Sequence, residues 1–323
     1  MAPSGATFFR VCMKTAKAIL DFYSKCEDRR SVGVGCSVLG NECDRKIWLD
    51  LRWFETEKFS GRMRRLLTTG HREEERVIAD LKNLSGIIVH SVDPETGEQF
   101  RVSAHGGHIS GYLDGIVKNI PEDPGAIEYA LEIKTHSTKS FDGVKNKGVQ
   151  KGKPQHYAQC LSVAHLKKLP GTLYIAICKE TDDIYSELIM ASPKKAEELI
   201  ARAFDLVMLD SLPDGIEGNP EYPPCSFCKH SVFCYSNSPM SPVMPDLTCR
   251  SCIHATPQKE GGWRCDKLEL ALNKEQQEQA CEHHLIRPDL LPYGEPVHVD
   301  ETFILYPGMV VNKAGSGSVE VDR

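Results

Sequence analysis

The run GYLDGIV at 111–117 sets Asp114 at or just after an apolar strand, and ALEIKT at 130–135 sets Glu132 and Lys134 two apart on a predicted strand. A strand period of two puts Glu132 and Lys134 on one face and Ile133 on the other, towards the core. If the two runs are neighbouring strands, Asp114 and Glu132 converge on one divalent cation. Mg²⁺ suits such a site because it binds through a few carboxylate oxygens and keeps several waters. Lys134 then stands where it can orient an attacking water or offset charge developing on phosphorus. That is metal-assisted hydrolysis, in which the cation activates water and stabilises the transition state. An E-x-K pair also decorates exposed strand faces. Here it lies inside ALEIK with strands on both sides, where a charged pair is costly to bury without a use.

The second group able to do chemistry is sulfur. Thirteen cysteines in a reducing compartment point to metal ligation rather than disulfides. CSFCKHSVFC gives Cys225, Cys228 and Cys234, a trio that needs a fourth ligand for a closed tetrahedral or cubane site. Zn²⁺ would accept such thiolates with His230 as a substitute donor, and spacing alone does not choose between zinc and iron. Cys249, Cys252, Cys265 and Cys281 follow as one C-x2-C knuckle and two single cysteines, which fits a closed zinc site with His283 and His284 as spare donors. Trp263 inside that segment is read as a cap on its small core.

These residues need a scaffold. Residues 14–28 read as an amphipathic helix with Ala18, Ile19, Leu20, Phe22 and Tyr23 on its apolar side. Ser37 looks like a helix cap, with Cys43 in or near the first turns that follow. A helix over 66–84 has Leu66, Val77, Ile78 and Leu81 as its buried stripe, with Arg72 to Arg76 facing solvent or a site. The middle third carries short β-rich runs, interrupted by helices at roughly 154–168 and 193–210. Strands framed by helices imply an α/β fold around one central mixed sheet. After residue 211 the chain becomes rich in Pro, Cys and loop formers, unable to build a core from side chains alone. KAGSGSVEVDR reads as a flexible tail.

In order along the chain, these stretches resemble the PD-(D/E)xK nuclease superfamily, RecB-like branch, with its AddB and CRISPR-associated exonuclease members. SVLGNECDRKIWLDLRW is similar to the opening Ser…Cys-x-Arg helix, TGHREEERVIADL to the Gly-x-x-x-Glu helix, GYLDGIV to the G-x-x-D-G strand and LEIKT to the E-x-K strand. PQHYAQCLSVAHL sits where the branch carries a Gln-containing helix, although the Tyr expected four residues after Gln159 is Val163, with Tyr157 upstream. The likeness covers roughly residues 31–234. It implies a restriction-endonuclease-like core and a Mg²⁺- or Mn²⁺-dependent deoxyribonuclease, an exonuclease in preference to an endonuclease. Asp114, Glu132 and Glu74 would be metal ligands with His71 as a substitute, Lys134 the catalytic lysine, and Gln159 a substrate or orienting contact. It also implies a [4Fe–4S] staple on Cys43, Cys225, Cys228 and Cys234, with Cys36 a weaker upstream alternative. REEER around Glu74 is also a charge run of the kind that coats a solvated helix face.

The division that follows is 1–240 for the nuclease unit, 241–300 for a loop-dominated zinc-knuckle segment and 301–323 for the tail. The lysine-rich segment 139–157 holds Lys139, Lys145, Lys147, Lys151 and Lys153, read as a mobile loop that neutralises DNA phosphates beside the site. Lys167 and Lys168 extend it, and Arg62, Arg64 and Arg65 form a second basic patch. The chain has 323 residues, 41% of them hydrophobic, and a net charge of −6, which excludes coating nucleic acid by bulk charge but allows a local basic groove. No apolar stretch is long enough for a membrane span, and the first residues lack the pattern of a secretory leader, so a cytoplasmic setting is expected. With no G-x-x-x-x-G-K-[ST] motif, unwinding would come from a helicase or recombination protein. A non-catalytic metal-stapled DNA-binding adaptor and a junction-resolving endonuclease are the alternatives.

Overall fold

The computed structural model describes residues 14–25, 30–216 and 218–321. The N-terminal residues read for a leader up to 13, and most of the last part of the 14–28 helix, lie outside them. Helix α1 (Lys14–Ser24) packs on α3 and buries none of its own residues. After β1 (Val34–Gly35), Cys36–Val38 form a 3-10 turn, so Ser37 lies inside a turn and caps no helix. Cys43 itself is the N-cap of α2 (Asp44–Leu51). The Ser60 hydroxyl accepts from the Met63 N–H and starts α3 (Gly61–Asn83) a turn earlier than its apolar stripe suggests. Only Gly61, Val77 and Leu81 of α3 are buried, and Leu66 is 44% exposed rather than part of the stripe.

Next come β2 (Ile88–His90), β3 (Arg101–Ala104), β4 (Ile109–Tyr112), β5 (Gly115–Ile120) and β6 (Asp123–His136). Helices α4 (Thr138–Gly152) and α5 (Pro154–Lys167) lead to β7 (Gly171–Cys178), β8 (Ile184–Met190) and α6 (Pro193–Met208). The fold is mixed α/β, with a central five-stranded sheet in the order β2-β5-β6-β7-β8. Within it β6 and β7 run parallel and the other pairs antiparallel. All of β7 is buried, as a strand covered on both faces must be. Leu131, Ile133, Leu173, Ile175 and Ile177 pack with Val77 and Leu81 of α3. On the opposite face Tyr174, Ala176 and Cys178 pack with Phe141, Val144 and Val149 of α4 and with Cys160 and Leu161 of α5.

The lysine-rich segment is therefore a helix rather than a mobile loop. Phe141, Val144 and Val149 give it an apolar side to bury while its lysines stay outside. Gly148, at φ 71°, takes the left-handed turn that kinks it.

Short helices α7 (Pro223–Ser226) and α8 (Ser231–Ser236) carry Cys225 and Cys234, with Cys228 in the link between them. Beyond them β9 (Ala255–Pro257), β10 (Trp263–Cys265) and β11 (Leu270–Leu272) form a small antiparallel sheet, followed by α9 (Lys274–Gln277). The segment read as a tail instead builds most of a four-stranded sheet: β12 (His298–Val299), β13 (Phe303–Tyr306), β14 (Val310–Lys313) and β15 (Val319–Val321). Ile304 and Tyr306 are buried there with Leu285, Ile286, Trp48 and Phe54, so the C-terminal residues complete a core begun by α2. Val34, Leu39 and Ile47 likewise share a cluster with Cys252, Ala255 and Trp263. Packing runs across residue 240 without a break.

What joins the two parts is a stack of cations and indoles. Arg287 stands over Trp48, Arg52 lies between Trp48 and Trp263, Arg250 between Trp263 and Trp53, and Arg30 over Trp53, with separations of 4.0–5.7 Å. It contains all three tryptophans of the chain. Arg52 and Arg250 are fully buried and draw on carbonyls: Arg250 donates to Leu51 and Val32, Arg52 to Ala255 and Leu209. Each cation–π contact is worth about 0.5–2 kcal/mol.

Trp263→Ala should cost about 3–5 kcal/mol, seen as a lower urea midpoint at unchanged slope. Leu268→Ala, at a residue 44% exposed in the same region, should cost well under about 1 kcal/mol. Two separate unfolding transitions in wild type would count against the shared core.

Candidate active site

Asp114 lies between β4 and β5, and the β5–β6 register brings it beside the middle of β6. Its backbone N–H donates to the Leu131 carbonyl, and its Oδ2 accepts from the Ile133 N–H at 2.7 Å. Strand alternation then turns Glu132, Lys134 and His136 to the face covered by α4 and α5. Lys134 Nζ is ion-paired to Glu132 Oε1, and Gln159 of α5 donates to the same oxygen at 2.7 Å. Glu74, reaching from α3, adds its charge to the field on Asp114, Glu132 and Lys134. Four residues picked out in sequence thus meet in one place, Asp114, Glu132, Lys134 and Gln159, and the charge of a fifth, Glu74, is felt there.

Glu132 is 2% exposed. Burial and the Glu132 carboxylate push Asp114 up to about 7, against the pull of Lys134 and the Ile133 N–H. Burial also raises Glu132, with Lys134 opposing. Burial works to lower Lys134, but Glu132 and Asp114 outweigh it and hold the ammonium above its ordinary value. Three carboxylates face one ammonium, so the ionised pocket carries an excess negative charge that burial makes expensive.

Behind Lys134 lies a polar group that sequence reasoning missed. The Tyr174 hydroxyl sits 2.9 Å from His136 Nε2 and 2.8 Å from His156 Nδ1, and His136 Nδ1 lies 2.9 Å from Ser140 Oγ. Burial, then Lys153, Lys179 and Lys134, hold His136 down at about 4; burial, Lys134 and His136 hold His156 down at about 3. Both rings are neutral at pH 7. The signal was periodicity: His136 continues the 132/134 alternation, and His156 lies one helical turn before Gln159.

Other predicted residues fall elsewhere. The His71 side chain is 75% exposed, with its Nδ1 3.3 Å from Oε2 of Glu74. Lys139, Lys145, Lys147 and Lys151 line the exposed side of α4, which leaves β6 directly after the site; Lys153 is half-buried at the α4–α5 junction. Cys43, Cys225, Cys228 and Cys234 all line one cavity of about 980 Å³, together with Arg45 and Lys46. Cys36 is buried elsewhere, and burial followed by the Glu132 charge pushes it up to about 12. His230 lines the same cavity; its Nε2 lies 2.9 Å from Asp50 Oδ1, while its buried Nδ1 makes no hydrogen bond. Cys249, Cys252, Cys265 and Cys281 feel one another, and burial followed by the other three thiols pushes Cys249 up to about 12. His284 Nε2 is turned to the Thr248 carbonyl at 3.0 Å. Trp263 is core, 2% exposed. Among the described residues, no three His, Cys, Asp or Glu side chains stand ready to grip a metal ion as they lie, and no helix is long and apolar enough to cross a membrane.

No family model matches the chain, and no curated protein matches its sequence. Among solved structures it is similar to SSO0001, at TM-score 0.42 and 17% identity over 68% of this chain and 93% of that one. It is also similar to the alkaline exonuclease LHK-Exo of Laribacter hongkongensis, at TM-score 0.36 and 14% identity over 55% of this chain and 87% of that one. The complex of LHK-Exo with dAMP gives TM-score 0.38 and 13% identity over the same shares.

Folded Asp114 keeps a proton to about 7, whereas its ordinary value is 3.8. The folded chain therefore binds more protons than the unfolded chain between those values, and stability falls as pH rises through them, by roughly 4 kcal/mol at most. Without divalent ions, the melting temperature should drop from pH 5 to pH 8. Asp114→Asn should flatten that slope, and Mn²⁺ should restore the wild type at pH 8 but not the variant. An equal slope in both proteins would refute the assignment.

Proposed function

We propose that the chain is a Mg²⁺- or Mn²⁺-dependent deoxyribonuclease that hydrolyses phosphodiester bonds at DNA ends or in single strands, working as an exonuclease. One observation carries this reading: the Glu132 carboxylate, 2% exposed and paired with Lys134, has the Asp114 carboxylate held beside it by the Ile133 N–H, so that two carboxylates share one ammonium. A divalent cation is the natural complement of that charge. Mg²⁺ in particular needs only one or two carboxylates and its own waters rather than a complete protein cage, in keeping with the absence of a ready three-ligand set among the described residues.

Asp114 and Glu132 would hold the cation, with Glu74 at its margin. When bound, the cation lowers the pKa of a water and neutralises charge on the phosphate. The Ile133 N–H fixes one Asp114 oxygen, and Gln159 fixes Glu132 Oε1, so both carboxylates are oriented before substrate arrives. Lys134, kept protonated by its carboxylate neighbours, is a hydrogen-bond donor beside the scissile phosphate. The α4 lysines offer phosphate contacts without base readout. A helicase or recombination protein would supply strand separation.

The cysteines fit metals by donor chemistry. Cys43, Cys225, Cys228 and Cys234 share a cavity with two cations, which suits a [4Fe–4S] cluster, with Zn²⁺ the alternative at the same thiolates. Cys249, Cys252, Cys265 and Cys281 suit Zn²⁺. Binding would draw each set of sulfurs inwards and tie loop-rich chain to α2 and to the small sheet.

Glu132→Ala should abolish cleavage in Mg²⁺ and Mn²⁺ while leaving folding and DNA affinity intact, and Lys134→Ala should slow it by about 10²–10³-fold. Circular single-stranded DNA should stay uncut. Its cleavage would favour a structure-specific endonuclease, and wild-type inactivity with both metals would favour an adaptor. Anaerobic purification should give brown protein whose iron is lost in Cys225→Ala and whose zinc is lost in Cys252→Ala. Colourless protein with zinc at both sets would replace the cluster assignment.

A further inference from the structure

The first turns of α3 and the whole of α1 form a two-helix arm that the site does not use. Gly61 is where the helices touch: a Cβ there would come within 1.9 Å of the Leu20 carbonyl oxygen, so only glycine allows the crossing. The arm leaves Ile19, Phe22, Met63, Leu66 and Leu67 exposed, Phe22 at 69%. Beside Phe22, the Arg65 guanidinium stands 5.8 Å over the Tyr23 ring, and Phe22 and Tyr23 meet edge-on at 5.7 Å.

Charge along α3 is divided. From Gly61 to Arg72 the helix has four arginines and no acidic residue, in a chain whose net charge is −6; its acidic run begins at Glu73. At 1.5 Å rise and 100° turn per residue, Arg65 lies about 14 Å along the helix from Glu74 and about half a turn around it, and Arg62 about 18 Å along and about a third of a turn around. That is about four to five stacked nucleotides at 3.4 Å each.

We infer that the α1–α3 arm is a platform for single-stranded DNA, set about four to five nucleotides along α3 from Glu74; this rests on the nuclease reading above. The exposed Phe22 ring, beside Tyr23 and Arg65, suits unpaired bases, whose faces stack while the backbone is neutralised. A duplex keeps its bases stacked inside and offers such rings only phosphates and groove edges. An acidic second copy of the chain would match the arginines but leave the aromatic rings without a stacking partner.

The test uses the full chain carrying Glu132→Ala, so that oligonucleotides survive, with Phe22→Ala and Arg65→Glu added singly. Oligo(dT) of 12 nucleotides should bind at least about fivefold more weakly in each. A 4-mer should be unaffected. In the otherwise wild-type chain, hydrolysis of thymidine 5′-p-nitrophenyl phosphate should be unchanged by either substitution, and so should circular dichroism. Equal 12-mer affinity in arm variants and parent would overturn the inference, as would a loss of self-association on sedimentation in place of a loss of DNA binding. If wild type cleaves neither DNA nor the small ester, only the nuclease reading fails, since the binding comparison still decides the arm.

Discussion

A carboxylate 2% exposed at the middle of a covered strand is the constraint around which this molecule is arranged. Glu132 cannot be moved to solvent without shifting β6 by one residue, which would turn Ile133 and Leu131 out of the core. Its charge must be met where it lies. Lys134, two residues on, meets it from the same strand, and Gln159 meets it from α5. A second carboxylate, Asp114, is then held against the strand by a backbone N–H, which makes the pocket too negative for one ammonium to balance. The neighbouring imidazoles are held towards the neutral form by burial first, and then by Lys134 and Lys153, which resist another cation there. The pocket is left with a demand for positive charge, met in part by the proton that Asp114 keeps up to about 7.

That demand explains the position of α5. The helix is pinned to the sheet twice, one turn apart, by His156 to Tyr174 and by Gln159 to Glu132. Tyr174 pairs directly with Glu132 in the parallel β6–β7 ladder, so both anchors belong to one rung. Because α4 packs on the same face, its apolar side is used in the core and its lysines remain available beside the pocket.

At the other end of the chain the charge problem has the opposite sign and a different solution. Arg52 and Arg250 are buried without carboxylates, between indole faces and carbonyls. Helix α2 links the two regions. It is N-capped by Cys43, holds Trp48, and its Asp50 is gripped by His230 and Lys229 from the loop of the cysteine trio. Burial works against Asp50 ionising, but these partners and Lys46 hold it well below the usual carboxylate range. One two-turn helix thus touches the cysteine cavity, the cation–indole stack and the core completed by the last strands.

The strands and the helices over 154–168 and 193–210 were legible because alternation and 3.6-residue periodicity are local properties of the chain. So was the spacing of Glu132 and Lys134, since two residues on a strand share a face whatever surrounds it. Helix α4 was missed because Phe141, Val144 and Val149 are sparse among lysines, and become a buried side only against β7. The final strands were missed because glycines and serines conceal pairings that are rewarded only by packing, on nearby Leu285 and Ile286 and on Trp48, more than 200 residues away. That Asp114 and Gln159 close on Glu132 was decided by tertiary structure alone: helix spacing places residues on a face, but only packing fixes where that face points.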